Sequence, residues 1–235
     1  NDTVSDNTVT ETDGNVKEDN TKNDSKQDKT EVVSVDDVKF DFHDVICNGG
    51  GTYDVKKEDS YICPYYTDET KQHIVYAVNN IGLTHISSEY QKYSNDELEN
   101  DVSKEIYYGM DDKTMYTYNI KDNSIKKTIR QSIYEGRDEL VSTWNHIFAL
   151  PWTLETETDD AFIFTLSEDD DFSEFIETEE LIWGEHGNIS NLDASYVYNK
   201  NGTKLQSITL SFDIDKRGIE GEDSLQHYKF SLTAS

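Results

Sequence analysis

The sequence predicts an α+β domain in which helices cover one face of an antiparallel sheet. Three observations carry that prediction. Past residue 30 the apolar residues alternate with period two, the pattern of half-buried strands. The period lengthens to that of a helix in the middle of the chain. It then returns to two for the last third, so the order runs strands, helices, strands.

The first alternating run, Val38, Phe40 and Phe42, is ambiguous, because Val38, Phe42 and Val45 also line one side of a helix. The run ends near Gly49-Gly50-Gly51, which reads as a turn. Strands are expected at His73–Asn79 and Leu83–Tyr90, joined by Asn80-Ile81-Gly82. Three more follow at Glu105–Gly109, Thr114–Ile120 and Ser124–Gln131, with turns at Asp111-Asp112-Lys113 and Lys121-Asp122-Asn123. Between these groups, Ser94-Asn95-Asp96-Glu97 has the form of a capping box, which predicts a short helix.

Leu140, Val141, Trp144, Ile147 and Phe148 fall on one helical face, and Pro151 stops that helix. A strand, Ala161–Leu166, comes next. The acidic run Glu168 to Asp171 then opens a second helix through Phe172, Phe175 and Ile176, expected to end near Gly184. Strands at Ala194–Asn199 and Thr203–Ile214 flank the turn Asn199 to Gly202, and Gln226–Thr233 supplies the last one. No period of roughly 20 to 50 residues repeats, which argues against a solenoid or propeller.

Composition divides the chain. From Asn1 to Thr30 the only apolar side chains are Val4, Val9 and Val16, too few to offset the entropy of ordering. Residues 1–30 are expected to be a disordered polar tether, and residues 31–235 a single domain. The formal charge is −28. Eight acids and four lysines give the tether −4, so the remainder carries −24. A domain that acidic repels phosphate backbones, which excludes nucleic acid as a partner class. No apolar run nears the ~18 residues of a membrane span. A chain opening on a polar tether suggests a processed, extracellular protein, held to a bacterial cell membrane through a lipid anchor outside this sequence. A monomer is expected.

Catalytic and cofactor signatures are lacking. His43, His73, His85, His146, His186 and His227 form no H-E-x-x-H motif, there is no G-x-S-x-G, and the glycine run lacks the Lys-Ser/Thr of a phosphate loop. Asp213, Asp215 and Gly218 match three positions of a calcium loop, but Arg217 and Ser224 occupy two others that should be ligands. No enzyme activity, metal or cofactor is therefore expected. Cys47 and Cys63 are too few for a disulfide scaffold; one disulfide between them and two free thiols are both open readings.

Three segments carry a family resemblance: "KEIYYGMDDKTMYTYN" from Lys104, the helix "DELVSTWNHIFAL" from Asp138, and "YVYNKNGTKLQSITLSFDI" from Tyr196. Their order, over approximately Asp36 to Ser235, resembles the LolA/LppX-like surface lipoproteins of Gram-positive bacteria, many of them uncharacterised. The resemblance implies a strongly curved antiparallel sheet, an open half-barrel, with helices on its concave side. It further implies a non-enzymatic carrier of a hydrophobic or lipidic ligand in that concavity. Candidate ligand-binding residues are Tyr108, Met115, Tyr116, Tyr118, Trp144 and Phe148, because tyrosine joins a broad apolar ring to a polar tip. Along the strand, Tyr116 and Tyr118 share one face and Met115 and Thr117 the other. The competing reading makes these tyrosines packing residues or a wet sheet face. A second functional reading is a protein- or cell-wall-interaction module with a filled core and an acidic surface.

Overall fold

Strand residues far outnumber helical ones in this chain, and all the strands join a single antiparallel sheet. A computed structural model describes residues 51–79, 82–108, 114–129, 146–179, 185–200, 204–217 and 223–235. The chain divides into two units, Asn1–Glu31 and Val32–Ser235, and every described residue lies in the second. The Val38–Phe42 segment, Cys47 and Trp144 lie outside the described residues.

The strands are β1 (Gly51–Ile62), β2 (Thr67–Asn79), β3 (Gly82–Ser94), β4 (Glu97–Tyr108), β5 (Thr114–Asn119), β6 (Ser124–Ile129), β7 (Thr153–Glu157), β8 (Ala161–Thr165), β9 (Glu185–Asn199), β10 (Lys204–Arg217) and β11 (Asp223–Ala234). Their spatial order is β6-β5-β4-β3-β2-β1-β11-β10-β9-β8-β7. Two meanders of sequential hairpins are thus joined where β1 pairs with β11, from Tyr53↔Ala234 to Ile62↔Leu225. The outer strands β6 and β7 are consecutive in sequence. Pairing them would close an up-and-down barrel, and the sheet instead remains open.

Among the described residues, one helix interrupts the strands, α1 (Ser173–Thr178), and His146–Phe148 are also helical. The α+β prediction is therefore corrected to an almost entirely antiparallel β fold. The expected first helix is described only at His146–Phe148. The second stops at Thr178, well short of Gly184. The Ser94–Glu97 capping box is a hairpin turn: Asn95 and Asp96 have φ of 49° and 66°, and Ser94 pairs with Glu97. Two successive positive φ values define the type I′ turn, whose twist matches the flanking strands, and Asn and Asp tolerate it. Asn95 also accepts a hydrogen bond at Oδ1 from the Thr67 N–H (3.1 Å) and donates its own N–H to the Thr67 carbonyl (2.8 Å).

Two strands escaped the sequence reading. In β1, Lys57 and Asp59 occupy the same face as the buried Tyr53 and Val55, which breaks the apolar alternation. All of β7 is exposed, so burial imposes no pattern on it.

The core lies on one face of the sheet, over β8–β11 and β1, and reaches Tyr76 and Val78 of β2. Tyr196, Ile208, Leu210, Phe212, Ile214 and Tyr228 are fully shielded there. Two short segments cover this face. From one, Phe148 and Trp152 meet Tyr196 at ring-centroid distances of 5.9 and 5.8 Å, and the Trp152 indole donates to the Ile147 carbonyl (2.8 Å). From the other, Phe172 and Phe175 lie against Phe212 (5.6 and 6.1 Å), which stacks on Tyr228 at 5.2 Å.

The type I′ turn yields a direct test. Asp96→Gly should stabilise the domain by roughly 0.5–1 kcal/mol and Asp96→Val should destabilise it by about 1–2 kcal/mol, read as opposite shifts of the urea midpoint. Equal midpoints for the two variants would rule out the positive φ.

Candidate ligand-binding face

Strand register sorts every side chain of β1–β6 onto one of two faces, because directly opposed residues point the same way. The row Tyr53, Tyr76, Ile86, Ile106, Thr117, Lys126 begins in the core and continues outward across β1 to β6. It defines the inner face. The neighbouring inner row runs Val55, Ile74, Ser88, Lys104, Asn119, Ser124. Ile74, Ile86 and Tyr108 are partly buried and pack against the edge of the core.

The sequence-derived site residues separate on this frame. Tyr108 and Met115 oppose each other on the inner face. Tyr116 and Tyr118 project from the outer face, where Tyr116 opposes Tyr107. There His85 stacks on Tyr107 (4.6 Å) and Lys127 sits 5.7 Å from the centre of the Tyr116 ring. Tyr118 donates its hydroxyl hydrogen to Asn123 (2.8 Å). This outer row is an amphipathic ladder of cross-strand pairs in contact with water. Phe148 is buried against Tyr196, away from both tyrosine rows. Trp144 is outside the described residues. The six candidates therefore do not converge on a single wall.

Other expected features take ordinary places. Cys63 is a half-buried free thiol. Asp213 of the calcium-like segment lies within β10, where it accepts hydrogen bonds from Asn191 (2.7 Å) and from His227 (2.6 Å). Burial pushes the Asp213 carboxyl up, but those two hydrogen bonds and the His227 charge outweigh it and hold the group below its usual value. Among the described residues, no three His, Cys, Asp or Glu side chains gather as metal ligands. An open cleft of about 440 Å³ borders Glu168–Ser173 and Asn188. Three of its four carboxylates are engaged with backbone: Glu168 with the Leu192 N–H (3.2 Å), Asp170 with the Ser167 N–H (2.6 Å) and Asp171 with the Ser173 N–H (2.9 Å).

The sequence reading missed two groups. At the edge of the core, Lys57 pairs with Glu179, which is 8% exposed, and His146 approaches the other Glu179 oxygen at 3.8 Å. The Lys57 ammonium also lies 5.4 Å from the centre of the buried Tyr228 ring. Burial, then the charges of Glu179 and Asp59, raise the Tyr228 phenol far above its ordinary value, so it stays neutral. This cluster ties the end of α1 to β1. The second group is Lys104 and Lys126, on the inner face beyond the core. In sequence, both look like solvent-facing positions of amphipathic strands, and only the register to Tyr53 reveals their side.

The described residues thus form one open antiparallel sheet, with one half of its inner face filled and the other half uncovered among those residues. No protein-family model matches the chain, and no curated protein matches it. Among solved structures, it is similar to a β-barrel-like protein of a domain of unknown function (DUF1849) from Brucella abortus. That match has 6% identity and a TM-score of 0.27, and spans 80% of this chain and 99% of the other.

Two outcomes follow from the ion pairs. Lys57→Met should destabilise the fold by about 3 kcal/mol by leaving Glu179 buried without its cation, whereas Lys57→Met with Glu179→Leu should cost less than about 1 kcal/mol. Chemical denaturation of the single and double variants compares them directly. For Asp213, the lowered carboxyl contributes stability above the unfolded value near 3.9, and that contribution is lost as pH falls through the folded value. Asp213→Asn should therefore be less stable at neutral pH and lose less stability than the parent on acidification below about pH 4, measured by thermal unfolding across pH.

Proposed function

We propose that this is a non-enzymatic binding protein that holds an apolar or lipidic ligand on the inner face of β2–β6. The observation behind this reading is the unequal filling of one continuous face. Over β1 and β8–β11, Phe148, Trp152, Phe172, Phe175 and Ile176 cover it. Past β2, the same face carries Ile74, Ile86, Ile106, Tyr108 and Met115 only partly buried, with Val102 at 36% exposure. Apolar surface left beside a filled core in this way suits a ligand that removes it from water. A place among LolA/LppX-like surface lipoproteins, extracellular and lipid-anchored, belongs to the same proposal. It rests on the three sequence segments that suggested the family.

A filled-core interaction module is the second reading, favoured by the density of aromatic packing over β8–β11. Native mass spectrometry of protein purified from a lipid-containing host separates the two. The binding reading expects a co-purifying lipidic mass that disappears in Ile106→Glu and persists in Tyr116→Glu. Absence of any such mass in repeated preparations, with no uptake of fluorescent lipid, would leave the interaction module as the better account.

A further inference from the structure

Charge is distributed unevenly between the two faces of β3–β6. The outer face bears Glu89, Asp101 and Glu105. The inner face, over Ile86–Lys92, Asn100–Tyr108, Met115–Asn119 and Ser124–Thr128, bears Lys92, Lys104 and Lys126 and no Asp or Glu. In a chain with 49 acids and 21 basic residues, an acid-free surface of this extent is unexpected on composition. Lys92 is neutralised by Glu99 at 3.3 Å and by Asp68 at 3.9 Å, the latter on the inner face of β2, where the acid-free area ends. Among the described residues, Lys104 and Lys126 have no carboxylate within ion-pair distance.

The position of these lysines relative to the apolar row gives the charge a purpose. From Tyr76 on β2, the row passes Ile86 and Ile106, then Thr117, and ends at Lys126 on β6. Four inter-strand spacings make it about 19 Å long, comparable with the ~15 Å that one acyl chain contributes to a bilayer core. Lys104 lies in the adjacent row, two strands from Lys126 and two residues along. Their Cα atoms are therefore roughly 12 Å apart by strand geometry, so two flexible ammonium arms can meet at one anion.

We propose that the inner face of β2–β6 binds a monomeric single-chain anionic amphiphile of the fatty-acid kind. Its chain lies along Ile86 and Ile106, beyond the buried Tyr76, and its head group lies between Lys104 and Lys126. This proposal deepens the binding function above and rests on it. The strongly negative remainder of the protein disfavours anionic ligands everywhere else, so these two lysines select both the site and the orientation. A bilayer surface is a poorer fit, because the acidic exterior repels anionic head groups.

The test titrates the protein with a fluorescent long-chain fatty acid below its micelle concentration and, separately, with the methyl ester of that probe. Binding of the acid should be about tenfold tighter at low salt, the scale of two exposed charge pairs. Lys104→Gln with Lys126→Gln should abolish that preference. Lys127→Gln, next to Lys126 but on the outer face, should keep it, which excludes a general effect of net charge. Equal affinity for acid and ester in the parent would overturn the head-group assignment while leaving the apolar binding function standing. Failure of both probes to bind would overturn both. Binding to anionic vesicles without uptake of the monomeric acid would also overturn the proposal.

Discussion

The pairing of β1 with β11 is the constraint on which the rest of the molecule depends. Every other pair of neighbouring strands is consecutive in sequence, and all but β8–β9, which α1 separates, are joined by a short connection that closes locally. The β1–β11 ladder instead joins residues near Tyr53 to residues near Ala234. The entropy of closing so long a loop grows only logarithmically with its length. Burial of Tyr53, Val55, Tyr228, Phe230 and Leu232 on the two strands offsets it. The ladder's first turn leaves no room for a side chain: a Cβ on Gly51 (φ 145°) would lie 2.9 Å from the Ser235 carbonyl oxygen. Thr52 and Ser235 exchange backbone hydrogen bonds of 2.8 and 2.9 Å at that point.

Joining the meanders gives one sheet with two different halves. The strands from β8 to β1 share a core of interlocked aromatic rings, sealed by α1 and the turn before Trp152. Lys57, Glu179 and His146 mark where that seal ends. Beyond it the same face continues through β2 to β6, where aliphatic residues mix with amide, hydroxyl and lysine side chains and with Asp68 at its margin. The apolar row is continuous across this boundary because strand register carries Tyr53 into Tyr76, Ile86 and Ile106. Stability and the proposed ligand contact therefore draw on adjacent parts of one surface.

Much of the strand content was legible because water on one face imposes period two, as in Ala161–Thr165 and Asp223–Ala234. The two short covering segments were partly legible through Phe172, Phe175, Ile147 and Phe148. The length of α1 was not, since only one turn of it buries apolar side chains. Ser94–Glu97 misled because a capping box and a two-residue hairpin use the same polar residue types; Asn95 and Asp96 serve the turn through their tolerance of positive φ. The tyrosine-rich segment drew attention to β5, yet alternation alone could not say which face was inner. That required the cross-strand chain from Tyr53 to Thr117. Lys104 and Lys126 stayed hidden for the same reason.

Native-state hydrogen exchange across the strands tests the central claim most directly. If β1 and β11 are the joint that holds both meanders, amides of Val55 and Leu232 will exchange at a common rate among the slowest in the protein. Those of β5 and β6 will open far more readily, in keeping with their weaker burial. Slow exchange in β11 with β1 exchanging as fast as β6 would contradict the account, because the first meander would then open without breaking the joint.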